Sequence, residues 1–294
     1  MSGGNPLKEL KPNKEFFVGI DSDGCAFPTM ELKHKECFIP NIVKSFGLQS
    51  VSKYAREAAE FVNLYSKWRG INRFPALLMV IDLLAERPEV RRSGVKLPDL
   101  GELKKWADSG AALGNPALEA EVKKNGNRVL ARVLEWSKAV NQSIDWMVEG
   151  CQPFAFVRES LGKMAARADI VVVSATPLEA LRKEWAEHGI DSFTRIIAGQ
   201  ELGSKKEHLA LAAGGKYPPE KILMIGDAPG DMKAARGNSA LFFPVNPGEE
   251  EKSWELLYSE AFGRFMAGSY SGNYEAGLIA KFEKLLPDKP PWKK

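Results

Sequence analysis

Short apolar runs that alternate with helical patterns dominate the second half of the chain, and they constrain its fold more than any other feature. After residue 150, four such runs occur in DIVVV, RIIAG, KILMI and ALFFPV, with helix-like segments between them. A fifth run, FFVGI at residues 16–20, lies near the start. Strands separated by helices pair in parallel, with the helices on both faces of the sheet. We therefore predict an α/β fold with a parallel sheet.

The middle of the chain follows a different pattern. Apolar residues three and four positions apart favour helices, and no convincing strand pattern occurs between residues 40 and 150. The helical patterns cover 48–68, 74–86, 115–126 and 127–149. A connection of this length needs a structure of its own. We predict a discontinuous Rossmann-like core formed by 1–24 and 151–294, and a separate all-helical domain over 25–150.

The remaining tail, from residue 249 onward, has helical spacing and ends in a stretch rich in Pro and Lys. Such a terminus is expected to be loose unless its side chains are tied down. We therefore predict a loose end to the chain.

Charge and composition exclude several classes of protein. Lys plus Arg number 41 and Asp plus Glu 38, a formal charge of +3, which does not favour a nucleic-acid or anionic-membrane partner. No apolar stretch approaches the ~20 residues of a membrane span, and the N-terminal residues lack the apolar region of a secretory signal. Three cysteines without CxxC spacing argue against a disulfide framework and favour a reducing cytoplasm. The oligomeric state stays open.

Polar residues follow several of the predicted strands, where ligand sites of open α/β sheets lie. Asp21-Ser22-Asp23-Gly24 follows FFVGI, Ser174-Ala175-Thr176 follows DIVVV, and Gly226 to Asp231 (GDAPGD) follows KILMI. Lys205 stands at the start of a predicted helix. Each feature alone is common in ordinary turns and helix caps. A calcium loop is excluded for the first, because position five is Cys25 and position twelve is Leu32.

Together these residues point to phosphoryl chemistry. Two carboxylate clusters after separate strands offer oxygen ligands that suit Mg²⁺. A lysine supplies a compact positive charge, and a serine hydroxyl with neighbouring backbone N–H groups, such as that of Ala175, supplies donors for an anion. A carboxylate beside a divalent cation and such donors can carry phosphoryl transfer through an aspartyl-phosphate.

The order of the four motifs resembles that of the haloacid dehalogenase superfamily of hydrolases. DxDG, an apolar run ending in Ser, a Lys, and GDxxxD occur in that order within residues 16–24 and about 151–245. The resemblance does not extend to the middle of the chain. It implies that Asp21 is the nucleophile and that Asp23 is the general acid and base, which favours phosphoryl chemistry over carbon–halogen cleavage.

The same resemblance assigns the remaining residues. It implies that Ser174 binds the phosphate, that Lys205 or the adjacent Lys206, with Lys205 preferred, compensates its charge, and that Mg²⁺ is the cofactor. The implied metal ligands are Asp21, Asp23 through its backbone carbonyl, Asp227 and Asp231, the last of which alternatively orients the metal's waters or the lysine. The implied substrate is a small phosphorylated metabolite.

The helical segment corresponds, in this resemblance, to a cap inserted between the first and second motifs. Asp21 and Ser174 are 153 positions apart, whereas Ser174 and Lys205 are only 31 apart. Within the segment, the stretch from Trp68 to Pro75 joins two predicted helices and carries Arg69 and Arg73. Both side chains suit an anionic substrate, although a solvated turn is the more common explanation of such a stretch.

The leading hypothesis is a Mg²⁺-dependent phosphatase. A phosphoryl mutase, a phosphonatase and a catalytically idle binding module on the same fold are the alternatives. A phosphonatase needs a Schiff-base lysine in the helical segment, and the sequence leaves Lys33, Lys35, Lys44 and Lys53 open for that role.

Overall fold

A five-stranded parallel sheet organises the first of two compact units in the computed structural model, which describes residues 4–293. The strands are β1 (Phe16–Ile20), β2 (Ala168–Val173), β3 (Ile196–Ala198), β4 (Ile222–Gly226) and β5 (Leu241–Pro244). Their order across the sheet is β3-β2-β1-β4-β5, and every pairing is parallel. The first strand in sequence is therefore the central one, and the predicted α/β class is confirmed.

Helices account for most of the remaining chain. In chain order they are α1 (Pro6–Glu9), α2 (Thr29–Leu32), α3 (Ile39–Ser45), α4 (Ser52–Asn63), α5 (Arg73–Glu86), α6 (Pro88–Arg92), α7 (Gly101–Asp108), α8 (Asn115–Asn125), α9 (Arg128–Met147), α10 (Val157–Ala165), α11 (Leu178–Glu187), α12 (Lys205–Ala212), α13 (Pro229–Arg236), α14 (Glu250–Leu256), α15 (Phe262–Met266) and α16 (Asn273–Leu285). Residues 40–150, all of them described, contain no strand, as predicted.

The sheet is apolar on both faces because successive side chains of a strand point to opposite sides. Val18 and Ile20 belong to the core on one face, whereas Phe17 belongs to the core on the other. The neighbouring strands alternate in the same way, with Ile170 on the first face and Val171 on the second. Burial on both faces explains why these strands appear in the sequence as unbroken apolar runs.

The second unit is helical and has a hydrophobic core of its own, in which Phe74 and Trp136 are fully enclosed. Its helix boundaries follow local signals. The Asn127 side chain accepts the backbone N–H groups of Val129 and Leu130 at the start of α9. Gly126 ends α8 with a φ of +64°, a left-handed conformation that glycine adopts without strain.

The boundaries between the two units differ slightly from those drawn from the sequence. The segment up to Thr29 joins Cys151–Leu286, and Met30–Gly150 joins the segment that begins at Pro287. Residues 25–29 therefore lie in the sheet unit rather than in the helical one.

The expectation of a loose tail is wrong for the described residues after Leu286. The Lys67 ammonium lies 2.9 Å from the Asp288 carboxylate, and the Trp292 ring packs 5.8 Å from the ring of Phe61. The guanidinium of Arg87 lies 3.8 Å from the centre of the Trp292 ring. An aromatic ring and an ion pair tie down a terminus that its composition predicted to be free.

The helix predicted over 48–68 is shorter in the structure. A single 3₁₀ turn at Gln49–Val51 precedes α4, which ends at Asn63. The Asn63 side chain donates to the carbonyl of Ala59 at 2.8 Å, and an irregular segment follows. Within residues 4–293, none of the helices is both long enough and apolar enough to cross a membrane.

Candidate active site

The carboxyl ends of the central strands bring the predicted acids together. Asp21 directly follows β1 and Asp227 directly follows β4, and these two strands are paired. The backbone N–H of Asp21 donates to the carbonyl of Ile225 at 3.0 Å, which extends the pairing into the loops. Asp231 lies in the first turn of α13, four residues after Asp227.

Asp21, Asp227 and Asp231 form a compact acidic cluster. One carboxylate oxygen from each lies within 4.8 Å of the others. Their exposed fractions are 4%, 0% and 0%. Buried carboxylates at such spacing repel one another, so the cluster needs positive charge from a side chain or a cation.

Lys205 supplies one positive charge to this cluster. Its ammonium donates to the Asp21 carboxylate at 2.5 Å and to Asp231 at 2.6 Å. The side chain of the adjacent Lys206 runs past Gly237 instead, since a methyl group added to that glycine would lie 3.1 Å from the Lys206 Cε atom. Of the two lysines left open by the sequence, Lys205 is thus the one that contacts the acids.

The charges in the cluster perturb one another strongly. Burial raises the pKa of Asp21 well above its usual range, and the carboxylates of Asp231 and Asp227 oppose the lowering effect of Lys205. Burial works to lower the pKa of Lys205, but the carboxylates raise it overall. One ammonium does not compensate three buried carboxylates, and a divalent cation would complete the balance.

The donor set fits Mg²⁺. All three side chains offer carboxylate oxygen, the ligand that this hard cation prefers. Both oxygens of Asp231 already accept hydrogen bonds, one from Lys205 and the other from the backbone N–H of Ala228 at 3.0 Å. The same holds for Asp21, whose oxygens accept the ammonium of Lys205 and the backbone N–H of Ser22 at 2.8 Å, so hydrogen bonding does not rank these two acids as cation ligands.

Gly226 allows Asp231 to approach the end of β4. A Cβ atom at this position would lie 2.4 Å from the Cβ of Asp231, a distance that no real pair of side chains tolerates. Pro229 starts α13, and the Asp231 side chain caps the helix by accepting the N–H of Ala228. The glycine before Asp227 is thus a steric requirement of the acidic cluster.

The loop that carries Asp21 and Asp23 is folded into a tight turn. The carbonyl of Ser22 accepts the backbone N–H groups of Ala26 and Phe27, and Gly24 has a φ of +76°. The Ser22 hydroxyl also accepts the indole N–H of Trp185 at 2.9 Å. These contacts fix the backbone between the two aspartates.

Cys25 lies in the same turn and is fully buried. Its carbonyl accepts the indole N–H of Trp254 at 2.7 Å. Burial raises the pKa of its thiol well above the usual value. A buried, protonated thiol is inert, so Cys25 serves packing rather than chemistry.

Asp23 is held by two hydroxyl groups that the sequence did not single out. Thr29 donates to one carboxylate oxygen at 2.5 Å, and Thr176 donates to the other at 2.7 Å. Thr176 was visible only as the last residue of Ser174-Ala175-Thr176, and Thr29 carried no signal beyond its place near the start of a helical segment.

Ser174 follows β2 and is 2% exposed, whereas the next residue, Ala175, is exposed. The Ser174 backbone N–H donates to the carbonyl of Ala198 at 3.0 Å. Its hydroxyl accepts the N–H of Thr176 at 3.2 Å. This serine therefore lies at the carboxyl edge of the sheet, at the end of the strand that flanks β1.

The two arginines singled out from the sequence lie in the helical unit and are engaged there. The Arg69 guanidinium donates to the carbonyl of Leu64 at 2.8 Å. Arg73 donates to the Ser137 hydroxyl at 2.9 Å and to Asn141 at 2.8 Å, and burial lowers its pKa to about 10. These contacts give Arg73 a structural role between α5 and α9. Substrate binding by either arginine stays a prediction.

Comparison with known proteins gives matches among solved structures alone. No family model matches the chain, and no curated protein matches it. A haloacid dehalogenase-like family hydrolase from Streptococcus pneumoniae is 15% identical, with 83% of this chain and 90% of the other covered and a TM-score of 0.41. A candidate phosphoglycolate phosphatase from Lactobacillus delbrueckii subsp. bulgaricus is 16% identical, with 84% and 92% covered and a TM-score of 0.46.

A third solved structure, a haloacid dehalogenase-like family hydrolase from Xanthomonas campestris, is 15% identical over 80% of this chain and 84% of the other, with a TM-score of 0.40. At such identities and with TM-scores below 0.5, these similarities carry no weight for function. The activity has to be inferred from the geometry of the acidic cluster itself.

Proposed function

We propose that the protein is a Mg²⁺-dependent phosphatase of the haloacid dehalogenase type, acting on a small phosphorylated metabolite through an aspartyl-phosphate. The observation that carries this proposal is the contact between the buried Asp21 carboxylate and Lys205 within a cluster of three acids at the carboxyl edge of the sheet. Asp23, two residues further on, supplies a second carboxyl on the same turn. The resemblance of the four motifs points to the same chemistry.

In the first half of the proposed reaction, a carboxylate oxygen of Asp21 attacks phosphorus. A P–O bond to Asp21 forms while the P–O bond to the leaving group breaks, and Asp23 gives its proton to the leaving oxygen. Lys205 reduces repulsion between the anionic nucleophile and the anionic substrate.

In the second half, Asp23 takes a proton from water, whose oxygen attacks the phosphorus of the aspartyl-phosphate. The acyl-phosphate P–O bond breaks, the Asp21 carboxylate is regenerated and inorganic phosphate leaves. The Ser174 hydroxyl and the backbone N–H of Ala175 are the proposed donors to the phosphate oxygens in both halves.

Mg²⁺ would be held by Asp21, the backbone carbonyl of Asp23 and Asp227, with Asp231 beside it. When bound, it neutralises charge on the phosphoryl oxygens and on the carboxylate cluster. Asp231 has a second task in this proposal, since its contact with Lys205 fixes the position of the ammonium.

Contacts in the structure weigh against two of the alternatives, the phosphonatase at Lys35 among its four candidate lysines and the idle module at the acidic cluster. A phosphonatase needs a neutral lysine amine, but the Lys35 ammonium contacts the Glu31 carboxylate at 2.7 Å, which raises the pKa of Lys35 despite the effect of its partial burial. An idle module would gain nothing from burying three carboxylates around one lysine, because unpaired buried charge costs stability. A cap role for the helical unit stays a prediction.

Hydrolysis of p-nitrophenyl phosphate tests the proposal. We expect release of nitrophenolate that requires Mg²⁺, stops on chelation with EDTA and is absent in Asp21→Asn. Asp191→Asn, which alters an exposed acid at the amino end of β3, is the matched control and should retain wild-type activity. Activity that persists without a divalent cation, or in a pure and non-deamidated Asp21→Asn preparation, would contradict the proposed mechanism.

A covalent intermediate provides the second test. Asp23→Asn lacks the base that activates water, so the phosphoryl group should accumulate on the protein after mixing with p-nitrophenyl phosphate. Peptide mass spectrometry should locate it on Asp21. A phosphoryl group on another residue would show that the nucleophile is assigned wrongly.

A further inference from the structure

The loop after β2 is fixed by its own backbone. Ser174 is held through its N–H by Ala198, and the carbonyl of Thr176 accepts the N–H of Gln200 at 3.0 Å. Between these two anchors, the N–H of Thr176 donates to the Ser174 hydroxyl. The backbone position of Thr176 is therefore set by the strand end and not by its side chain.

From this fixed backbone, the Thr176 hydroxyl reaches the loop after β1. It lies 2.7 Å from Oδ2 of Asp23, although the two residues are 153 positions apart in the sequence. Thr29 occupies the other oxygen of the same carboxylate, so the side chain is held from both oxygens. A carboxyl with a hydrogen bond on each oxygen loses its freedom to rotate about χ2.

A hydroxyl is well suited to a residue that both gives and takes a proton. It donates to a carboxylate and accepts from a carboxylic acid, whereas a lysine or a backbone N–H does only the first. The contact between Thr176 and Asp23 can therefore persist in both forms of Asp23 that the proposed reaction requires.

We propose that Thr176 is a positioning residue that orients the Asp23 carboxyl for proton transfer to the leaving group and from water. This inference rests on the proposed phosphatase function. The hydrogen bond from Thr176 to Asp23 joins the loop that carries Ser174 to the loop that carries Asp23. The proposed phosphate donor and the proposed proton donor are thereby held in a fixed relative position. Thr176 acts through Asp23 and needs no contact with substrate.

The test compares two variants of Thr176 on two leaving groups. Thr176→Val keeps the shape and removes the hydroxyl, whereas Thr176→Ser keeps the hydroxyl. With an alkyl phosphate, whose leaving oxygen needs a proton, we expect kcat of Thr176→Val to fall roughly 10-fold, the size of one hydrogen bond to a charged group. With p-nitrophenyl phosphate the formation of the aspartyl-phosphate should fall less than about 3-fold, since a good leaving group needs little protonation. Thr176→Ser should lie within about 2-fold of wild type on both substrates, because it keeps the donor.

A double-mutant cycle with Asp23→Ala separates positioning from direct contact. Aspartyl-phosphate formation is followed in a single turnover with p-nitrophenyl phosphate and with the alkyl phosphate. Once the Asp23 carboxyl is gone, Thr176→Val should have no further effect. An effect that persists in the Asp23→Ala background, a rise in KM on both substrates, or equal losses in Thr176→Val and Thr176→Ser would overturn the inference.

The failure of the proposed function would look different. In that case the wild-type protein would show no Mg²⁺-dependent turnover, or Asp21→Asn would remain active. If wild type is active and Asp21→Asn is not, yet Thr176→Val equals wild type on both leaving groups, the positioning role alone is wrong.

Discussion

Two buried aspartate sites lie at opposite ends of the same sheet, and their surroundings differ. At the amino end, Asp169 of β2 is 1% exposed and accepts the backbone N–H groups of Asn13 and Lys14 at 2.7 and 2.9 Å. It also accepts the hydroxyl of Tyr217 at 2.7 Å and the guanidinium of Arg195 at 2.5 Å. One carboxylate there has four donors, whereas at the carboxyl end three carboxylates surround one lysine.

The pKa values of the acids at the two sites shift in opposite directions. Burial works to raise the pKa of Asp169, but its hydrogen bonds to Tyr217, to the two backbone N–H groups and to Arg195 lower it overall. Burial raises the pKa of Asp21, and the neighbouring carboxylates prevent Lys205 from restoring it. A buried acid with all its hydrogen-bond partners stabilises the folded state. A buried acidic cluster with too little positive charge destabilises it, but such a cluster is suited to binding cations and to chemistry. Four predictions test this contrast.

The largest expected effect is the loss of activity in Asp21→Asn. An amide cannot form the acyl-phosphate, so turnover should fall by more than roughly 10⁴-fold. The melting temperature should stay the same or rise, because one of three mutually repelling charges is removed. Activity assays and calorimetry on the same preparation check both parts. A large drop in melting temperature would mean that Asp21 stabilises the fold as Asp169 does.

Asp169→Asn should show the reverse. The amide would direct an N–H group at existing donors and would lose the ion pair with Arg195, which predicts a loss of about 3 kcal/mol in the free energy of unfolding. Urea denaturation measures this loss. Activity per folded molecule should remain within about 2-fold of wild type, because Asp169 lies at the other end of the sheet from the acidic cluster. An unchanged stability, or a selective loss of kcat, would break the contrast.

Mg²⁺ should stabilise the folded protein by binding at the carboxyl-end site and not at Asp169. A cation that binds only the folded state at 100 times its dissociation constant adds about 2.7 kcal/mol. Thermal unfolding with and without Mg²⁺ should show this gain in wild type and in Asp169→Asn, and little or none in Asp227→Asn. An equal gain in all three proteins would place the cation elsewhere.

The smallest expected effect is the change in stability at low pH. Because folding lowers the pKa of Asp169, its contribution to stability is present above the unfolded value of about 3.9 and is lost as the pH falls through the folded value. The gap in stability between wild type and Asp169→Asn should therefore narrow below about pH 4, by about 1.4 kcal/mol for each unit by which folding lowers that pKa. Urea titrations between about pH 3 and pH 7 measure the gap across this range. A gap that widens in acid would reverse the sign of the shift.

The strands and the acids that follow them were predictable because their signals are local. A buried parallel strand must be an unbroken apolar run, and FFVGI and KILMI are such runs. The acids after them then lie together, since paired strands end at the same edge. The location of Asp21 and Asp227 follows from the sequence for this reason, whereas their chemical roles remain proposals.

The contacts missed from the sequence join residues far apart. Thr176 reaches Asp23 across 153 positions, and the partners of Asp169 come from three separate segments. Neither pairing leaves a periodic trace that a pattern can show. The sequence suggested Arg73 as an anion-binding residue. Its hydrogen bonds to Ser137 and Asn141 on α9 depend on how α5 and α9 pack, which the sequence pattern does not show.

The path of the backbone through the two units has a consequence for protein engineering. The chain passes from one unit to the other after Thr29, after Gly150 and again after Leu286. Residues 30–150 are therefore not a self-contained module that can be exchanged between proteins by two cuts. A transplant of residues 30–150 alone would lack Trp292, so the contacts that Phe61 and Arg87 make with its ring would be lost. In the chain from which the residues were taken, Trp292 would lose the same two partners. A workable chimera of the helical unit has to carry two pieces of sequence, residues 30–150 and the segment that begins at Pro287.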